Sequence, residues 1–390
     1  MISPFNFKYK KPYDILFYYP QHFNRNERGT NPLFDPLIDL CEQNKLSYVV
    51  IEEPDKGTIF PRNKKANRFD FYFYLILLLR KAIPLFFFED FENREQFIGR
   101  ALKILTIGKF NANVIFTNSN SMGGFFRGYC PKARIIDYQH GIINKIQSGF
   151  FVNGRAPLHI TANNKEVAVW GKGFKDKFNL YNAYYQDKVH VLGHYQPADK
   201  ATTSFSESNK ILFTLQLMPD LGIKVNTEMF NEINIILKTF TTLSPEKRPK
   251  IVLKNHPRHN NAVDLSSLLN EFNFVSLMSD KEILRPTDYF IHVTFFSTTA
   301  FEMAMQGIPS YYLYTENLMN GKVDFLEDFK YPITQDISLK ELWLKYKNDK
   351  EIWISHSYLV KNWSNYYFEP LNKKVFLDLV KPLKKNKNEP

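Results

Sequence analysis

Short apolar runs alternate along this chain with stretches whose apolar positions recur every third or fourth residue, and most of the runs stop at Pro, Gly or a polar residue. Runs of the first kind read as buried strands and stretches of the second as amphipathic helices. In the first half, residues 14–20, 48–54, 112–117, 133–141, 167–171 and 188–193 read as strands. Asp35-Pro36 opens a short helix to about residue 44, with Asp35 as N-cap and Leu37, Leu40 and Cys41 at helical spacing behind it. The greasiest stretch, 71–79, reads as a buried helix. Residues 83–88 then read as a buried strand and 94–107 as a helix. Residues 193–209, rich in Gly, Pro, Ser and Thr, read as a linker. Beyond them the alternation restarts, with strands at 210–215, 250–254, 289–293 and 310–314. Helices are expected at 226–240, 265–272, 298–306 (closed by Gly307), 339–347 and 351–364.

Strands alternating with helices predict parallel sheets flanked by helices. The fold class is therefore α/β: two doubly wound, Rossmann-like domains facing a cleft. The expected division is 1–195 and 205–390, with the last helices free to pack back on the N-terminal domain. At 390 residues the length fits two domains better than one.

Composition narrows the function. The formal charge of +11 admits a nucleic acid, an anionic membrane surface or an anionic substrate. No zinc spacing, aromatic RNA-binding motif or recognition helix accompanies it, so no nucleic-acid partner is expected. Cys41 and Cys130 are too few for a disulfide framework or a metal site, which fits a reducing compartment. The first residues carry no secretory signal, and no apolar run reaches the roughly 18 residues of a spanning helix. The expected location is cytoplasmic. Arg62, Lys64, Lys65 and Arg68 beside the 71–79 stretch leave room for peripheral contact with the inner membrane face.

Two stretches of the second half carry the chemistry. In Ile251-Val-Leu-Lys-Asn-His-Pro-Arg258 a strand ends at Lys254, and Pro257 bars further regular pairing. Lys254, His256 and Arg258 are then donors at the carboxyl edge of a sheet, suited to a diphosphate or phosphodiester. In Phe296-Ser-Thr-Thr-Ala-Phe-Glu302 the hydroxyls of Ser297, Thr298 and Thr299 stand where a strand meets a helix and can bind phosphate oxygens or cap the helix. Glu302 is placed to complete a capping box or to accept from ribose hydroxyls.

Ser297 to Pro309 resembles the donor-site segment of GT-B-fold glycosyltransferases, a small polar run followed by Glu and then Gly-x-Pro. With His256-Pro257 upstream it is similar to the His-Pro and Ser/Thr motifs of bacterial sialyltransferases and Kdo transferases. The resemblance covers roughly residues 210–315. It implies that His256, Ser297, Thr298 and Thr299 hold a CMP moiety and that Glu302 holds the ribose. The Asp/Glu-Asp/Glu-Gly motif that several sialyltransferase families use is absent. Teichoic-acid-type glycerophosphotransferases share a Lys-x-His-Pro and a Ser-Ser segment, and Pro286-Thr-Asp-Tyr289 is similar to their Thr-Asp-Tyr.

The implied activity is metal-independent, inverting transfer of a sugar from a nucleotide-activated donor, a CMP-linked acidic sugar being favoured over a UDP-sugar. The acceptor would be a glycan or glycolipid of the bacterial surface. The alternatives are a CDP-polyol phosphotransferase of teichoic-acid type, a nucleotide-sugar epimerase and a non-catalytic nucleotide-sugar binding protein. No cofactor is expected, the nucleotide sugar being a co-substrate. For the base, His140 in Tyr138-Gln-His-Gly141 ends a strand, and its imidazole can take a proton near neutral pH. Asp137 is a second candidate. Glu52, Glu53 and Asp55, after the second strand, are rival carboxylates. Gly123, Gly124 and Arg127 are expected to shape an acceptor loop or a plain turn.

Overall fold

A computed structural model describes residues 11–55, 60–118, 122–145, 147–195, 207–256, 263–279, 282–315 and 325–381. The chain forms two compact units. One contains the residues up to 195 together with those from 369 onward, and the other contains those between.

The first unit is built on seven parallel strands: β1 (Tyr13–Pro20), β2 (Tyr48–Glu53), β3 (Asn67–Arg68), β4 (Ala112–Thr117), β5 (Arg134–Tyr138), β6 (Lys165–Val169) and β7 (Val189–Val191). Their order is β3-β2-β1-β4-β5-β6-β7, so the winding reverses between β1 and β4. Helices α1 (Asp35–Gln43), α2 (Asp70–Ala82), α3 (Phe91–Leu105) and α4 (Gly123–Tyr129) join the first strands. Leu16, Tyr18, Ile115 and Ile135 of the sheet pack with Ile98, Leu102 and Phe125 of α3 and α4 in one fully buried core.

The second unit has five parallel strands: β8 (Lys210–Thr214), β9 (Lys250–Lys254), β10 (Val275–Leu277), β11 (Ile291–Thr294) and β12 (Ser310–Tyr312). Their order is β10-β9-β8-β11-β12, and the reversal lies between β8 and β11. In such sheets ligands bind beyond the carboxyl ends of the strands at the reversal. The register places Lys254, Thr214, Thr294 and Tyr312 side by side in one row at that edge.

Three expectations need correction. Residues 83–88 are not a strand: Pro84 lacks a backbone donor, and a single 3₁₀ turn, Leu85–Phe87, follows it. The 71–79 helix exists but is not buried, since only Ile76 of α2 is fully enclosed. Asp35 is the first helical residue rather than the N-cap, and its carboxylate accepts from the Asn31 amide at 3.1 Å. Asn31 does the capping work instead, its side-chain oxygen accepting from the amides of Leu33 and Phe34 at 3.0 and 3.1 Å.

The last helix, Lys373–Val380, packs on the first unit through Phe376 against Phe116, and Arg134 donates to the Leu379 carbonyl at 2.7 Å. Gly193 permits this return. It has φ +94°, and a Cβ there would sit 2.3 Å from the Pro370 carbonyl oxygen. Among the described residues no helix is long and apolar enough to cross a membrane.

Candidate functional site

In the second unit, β11 ends at Thr294 and the chain turns into a seven-residue helix, α5 (Thr299–Met305). The turn is organised by Gln216, a buried residue just beyond β8. Its side-chain oxygen accepts from the Thr294 hydroxyl at 2.9 Å and from the Phe295 amide at 3.2 Å. The Thr294 hydroxyl also accepts from the Ser297 amide at 3.2 Å. Nothing local in the sequence marks Gln216, whose partners lie 78 and 79 residues away.

The turn presents three hydroxyls. Ser297 Oγ accepts from the Thr299 amide at 3.2 Å and lies 3.1 Å from the Thr299 hydroxyl, while Thr298 is exposed. Thr298 occupies the N-cap position without a capping hydrogen bond, so the capping box with Glu302 does not form. Glu302 is turned toward the strand edge instead. Burial pushes its carboxyl pKa up, and the Lys254 ammonium partly offsets that. That coupling brings the two sequence motifs together, β9 contributing Lys254 and α5 contributing Glu302. Lys254 Nζ also lies 3.5 Å from the Met278 sulfur. His256, two residues past β9, is partly buried; Pro257 and Arg258 lie outside the described residues.

Phe301 anchors α5. Its ring stacks on Trp363 at 4.4 Å and on Phe368 at 5.1 Å, and meets Phe329 and Tyr367 edge-on. Gly307, at φ +73°, closes the helix with its amide donating to the Ala304 carbonyl at 2.9 Å. Beneath the edge, buried His292 bridges three strands. One ring nitrogen lies 2.8 Å from the Thr214 hydroxyl and the other 2.8 Å from the Ser310 hydroxyl. Burial pushes this imidazole down to about 3, so it is neutral and structural.

In the first unit, buried Gln139 holds the turn after β5. It donates to the Gly141 carbonyl and accepts from the Trp170 amide, both at 2.9 Å, which leaves the neighbouring His140 exposed. The His140 ring meets Phe23 edge-on at 5.2 Å. It is open to solvent, yet the protein around it is dense enough to push its pKa down to about 4, by desolvation first and the charge of His22 second.

Asp137 is 1% exposed, paired in register with Thr117 and Val167. Desolvation pushes it up to about 7 and Lys165 opposes that. The Thr117 hydroxyl also lowers it, and among the described residues neither carboxylate oxygen makes a hydrogen bond of ordinary geometry. Glu52 is wholly buried, accepting from Asn24 at 2.7 Å and from the Asn63 amide at 3.0 Å. Glu53 accepts from the Tyr18 hydroxyl, and desolvation raises its pKa. Asp55 accepts a 2.6 Å hydrogen bond from His22 Nδ1. His22, in the turn just after β1, carried no sequence signal beyond its place past a strand end. Arg127 is absorbed by structure, donating to the carbonyls of Asn163, Pro131 and Ala133. Among the described residues no group of three His, Cys, Asp or Glu is placed to hold a metal.

No family model and no curated protein matches the chain. Solved structures do. The chain is similar to the wall teichoic acid polymerase TagF in a histidine-to-asparagine variant, at 11% identity over 95% of this chain and 88% of that one, with a TM-score of 0.55. It is similar to S. aureus MnaA in a co-structure with UDP, at 14% identity over 94% and 97%, with a TM-score of 0.52. It is also similar to the lipopolysaccharide outer core galactosyltransferase WaaB, at 10% identity over 94% and 99%, with a TM-score of 0.51. With the two reversed-winding parallel sheets, these likenesses establish the fold as a pair of Rossmann-like units of the GT-B type.

Proposed function

We propose that the protein is a glycosyltransferase that takes its sugar from a nucleotide-activated donor, bound by the second unit, and delivers it to a bacterial surface glycan or glycolipid. The observation that supports this reading is the charge interaction of Lys254, at the end of β9, with Glu302 on the helix Thr299–Met305, whose first turn carries the Ser297, Thr298 and Thr299 hydroxyls. Lys254, His256, Arg258 and the hydroxyls would hold the phosphate, and Glu302 would hold the ribose. Charge growing on the leaving phosphate is met by these fixed donors, so the mechanism calls for no metal. In the first unit a side chain at the carboxyl edge of the sheet, where Glu53 and exposed His140 stand, would take the acceptor proton in a single inverting displacement. Asp137, enclosed below the surface, would act on this edge through its charge alone.

A CMP-linked acidic sugar remains the favoured donor on the His-Pro and Ser/Thr motifs. The likeness to TagF, whose structures include a CDPG soak, supports a second reading, transfer of a CDP-linked polyol phosphate. Both transfers release CMP, so turnover of a CMP-sugar against a CDP-polyol separates the two, and isothermal titration with CMP, CDP, UDP and GDP tests the nucleotide site they share. Binding of none of them would sink both. His256→Ala should weaken the nucleotide that binds about tenfold or more, as loss of a hydrogen bond to a charged group does.

Peripheral membrane contact belongs to the same reading. Phe71 and Leu78 on α2 are 71% and 61% exposed, and Phe86 and Phe87 in the following turn are 79% and 69% exposed. Exposed Lys64, Arg68, Lys81, Arg100 and Lys109 lie on the same and adjoining segments. Apolar rings with a basic rim match an anionic bilayer surface. The chain should float with vesicles of anionic but not zwitterionic lipid, and Phe86→Ser/Phe87→Ser should abolish it. Equal flotation of that double variant would remove this part of the proposal.

A further inference from the structure

The carboxyl edge of the first sheet holds an arrangement that the motifs did not include. His22 lies in the turn after β1, and its Nδ1 is 2.6 Å from Asp55 Oδ2 beyond β2. The two side chains are 51% and 31% exposed. His22 follows β1, which flanks the reversal between β1 and β4 where a doubly wound sheet receives its ligand, and Asp55 follows β2, the next strand outward. Glu53 and His140 feel the charge of His22, and the adjoining Phe23 packs on the His140 ring. Arg25 faces the same turn but spends one guanidinium nitrogen on the carbonyls of His22 and Asn24, at 2.7 and 2.8 Å.

We propose that His22, held by Asp55, is the catalytic base of the transfer, and that His140 beside it lines the acceptor site without taking the proton. This rests on the transferase reading above. Asp55 fixes the ring with its proton on Nδ1, which presents the lone pair of Nε2 to solvent, and stabilises the imidazolium once formed. In the step itself the acceptor hydroxyl gives its proton to His22 Nε2 while its oxygen bonds to the transferred group. The bond from that group to the donor phosphate breaks, and the nucleotide leaves with the electron pair. His22 then returns the proton to solvent, and Asp55 stays ionised throughout. His140 has no such support: among the described residues its ring makes no hydrogen bond, so an imidazolium there would stand without a carboxylate. Its depressed pKa of about 4 agrees, since an efficient base has a pKa near the working pH.

The test uses the full chain and donor hydrolysis, water standing in for the acceptor, with CMP-, CDP- and UDP-activated donors. His22→Gln should lower kcat by roughly 10²–10⁴-fold, the usual contribution of a general base, with nucleotide affinity by calorimetry within about twofold of the parent. Asp55→Asn should lower kcat by less than His22→Gln does, with nucleotide affinity again within about twofold of the parent. A His22→Gln protein that binds nucleotide and keeps its kcat overturns the base assignment and leaves the transferase reading standing. A parent chain that binds no nucleotide and turns over no donor removes both. Imidazole nitrogen NMR supplies a readout free of turnover. The His22 ring should carry its proton on Nδ1 and lose that tautomer preference in Asp55→Asn, and a ring indifferent to that substitution overturns the dyad.

Discussion

Gln216 is the residue on which the donor-side turn depends, and Gln216→Leu is the perturbation that isolates it. The two side chains are close in volume, so the change removes polarity rather than packing. It deprives two buried groups of an acceptor, the Thr294 hydroxyl at 2.9 Å and the Phe295 amide at 3.2 Å. The Phe296 amide, at 3.5 Å, is too far to count. A buried donor left unsatisfied costs about 1–3 kcal/mol. Thr294 can fall back on the Thr214 carbonyl at 3.3 Å, so its share lies at the low end. The expected loss is about 2–4 kcal/mol, confined to the second unit. Because the two units need not unfold together, native-state hydrogen exchange is the right assay: protection at Phe295 and its neighbours should fall by that amount, with β4 and β5 unchanged. Nucleotide affinity should fall with it, since Ser297 hangs from Thr294. A loss below 1 kcal/mol at Phe295, or undiminished affinity, would refute the claim that Gln216 positions the turn.

Two further outcomes follow from the same unit. Phe301→Ala, which empties the space between Trp363 and Phe368, should cost about 3–5 kcal/mol, and Phe301→Leu distinctly less, read by thermal melting or exchange. His292 is neutral when folded because burial lowers its pKa to about 3, whereas the unfolded ring titrates near its ordinary value. Between the two the unfolded state binds the extra proton, so stability is full above about pH 6.5 and falls with acidification by up to about 1.4 kcal/mol per pH unit. Urea midpoints measured from pH 7.5 to 4.5 should show this slope, and His292→Gln should flatten it.

The sequence by itself determined the class of the molecule. Apolar runs ending at Pro or Gly, alternating with helical spacing, are local signals, and a parallel sheet needs both faces buried and a helix after each strand. The same local grammar put Lys254, His256 and Ser297 to Thr299 at strand ends, where a doubly wound sheet collects its ligand. Only the tertiary structure decided which ends meet. Lys254 acts on Glu302 because the register aligns β9 with β8 and β8 with β11. Gln216 reaches Thr294 across 78 residues, and His22 reaches Asp55 across 33. Periodicity reports what flanks a segment and is silent on such pairings. It is equally silent on which apolar face remains uncovered, which is why α2 read as buried although Phe71 and Leu78 face solvent. The helical pattern states that an apolar face exists; the neighbouring elements decide whether protein covers it.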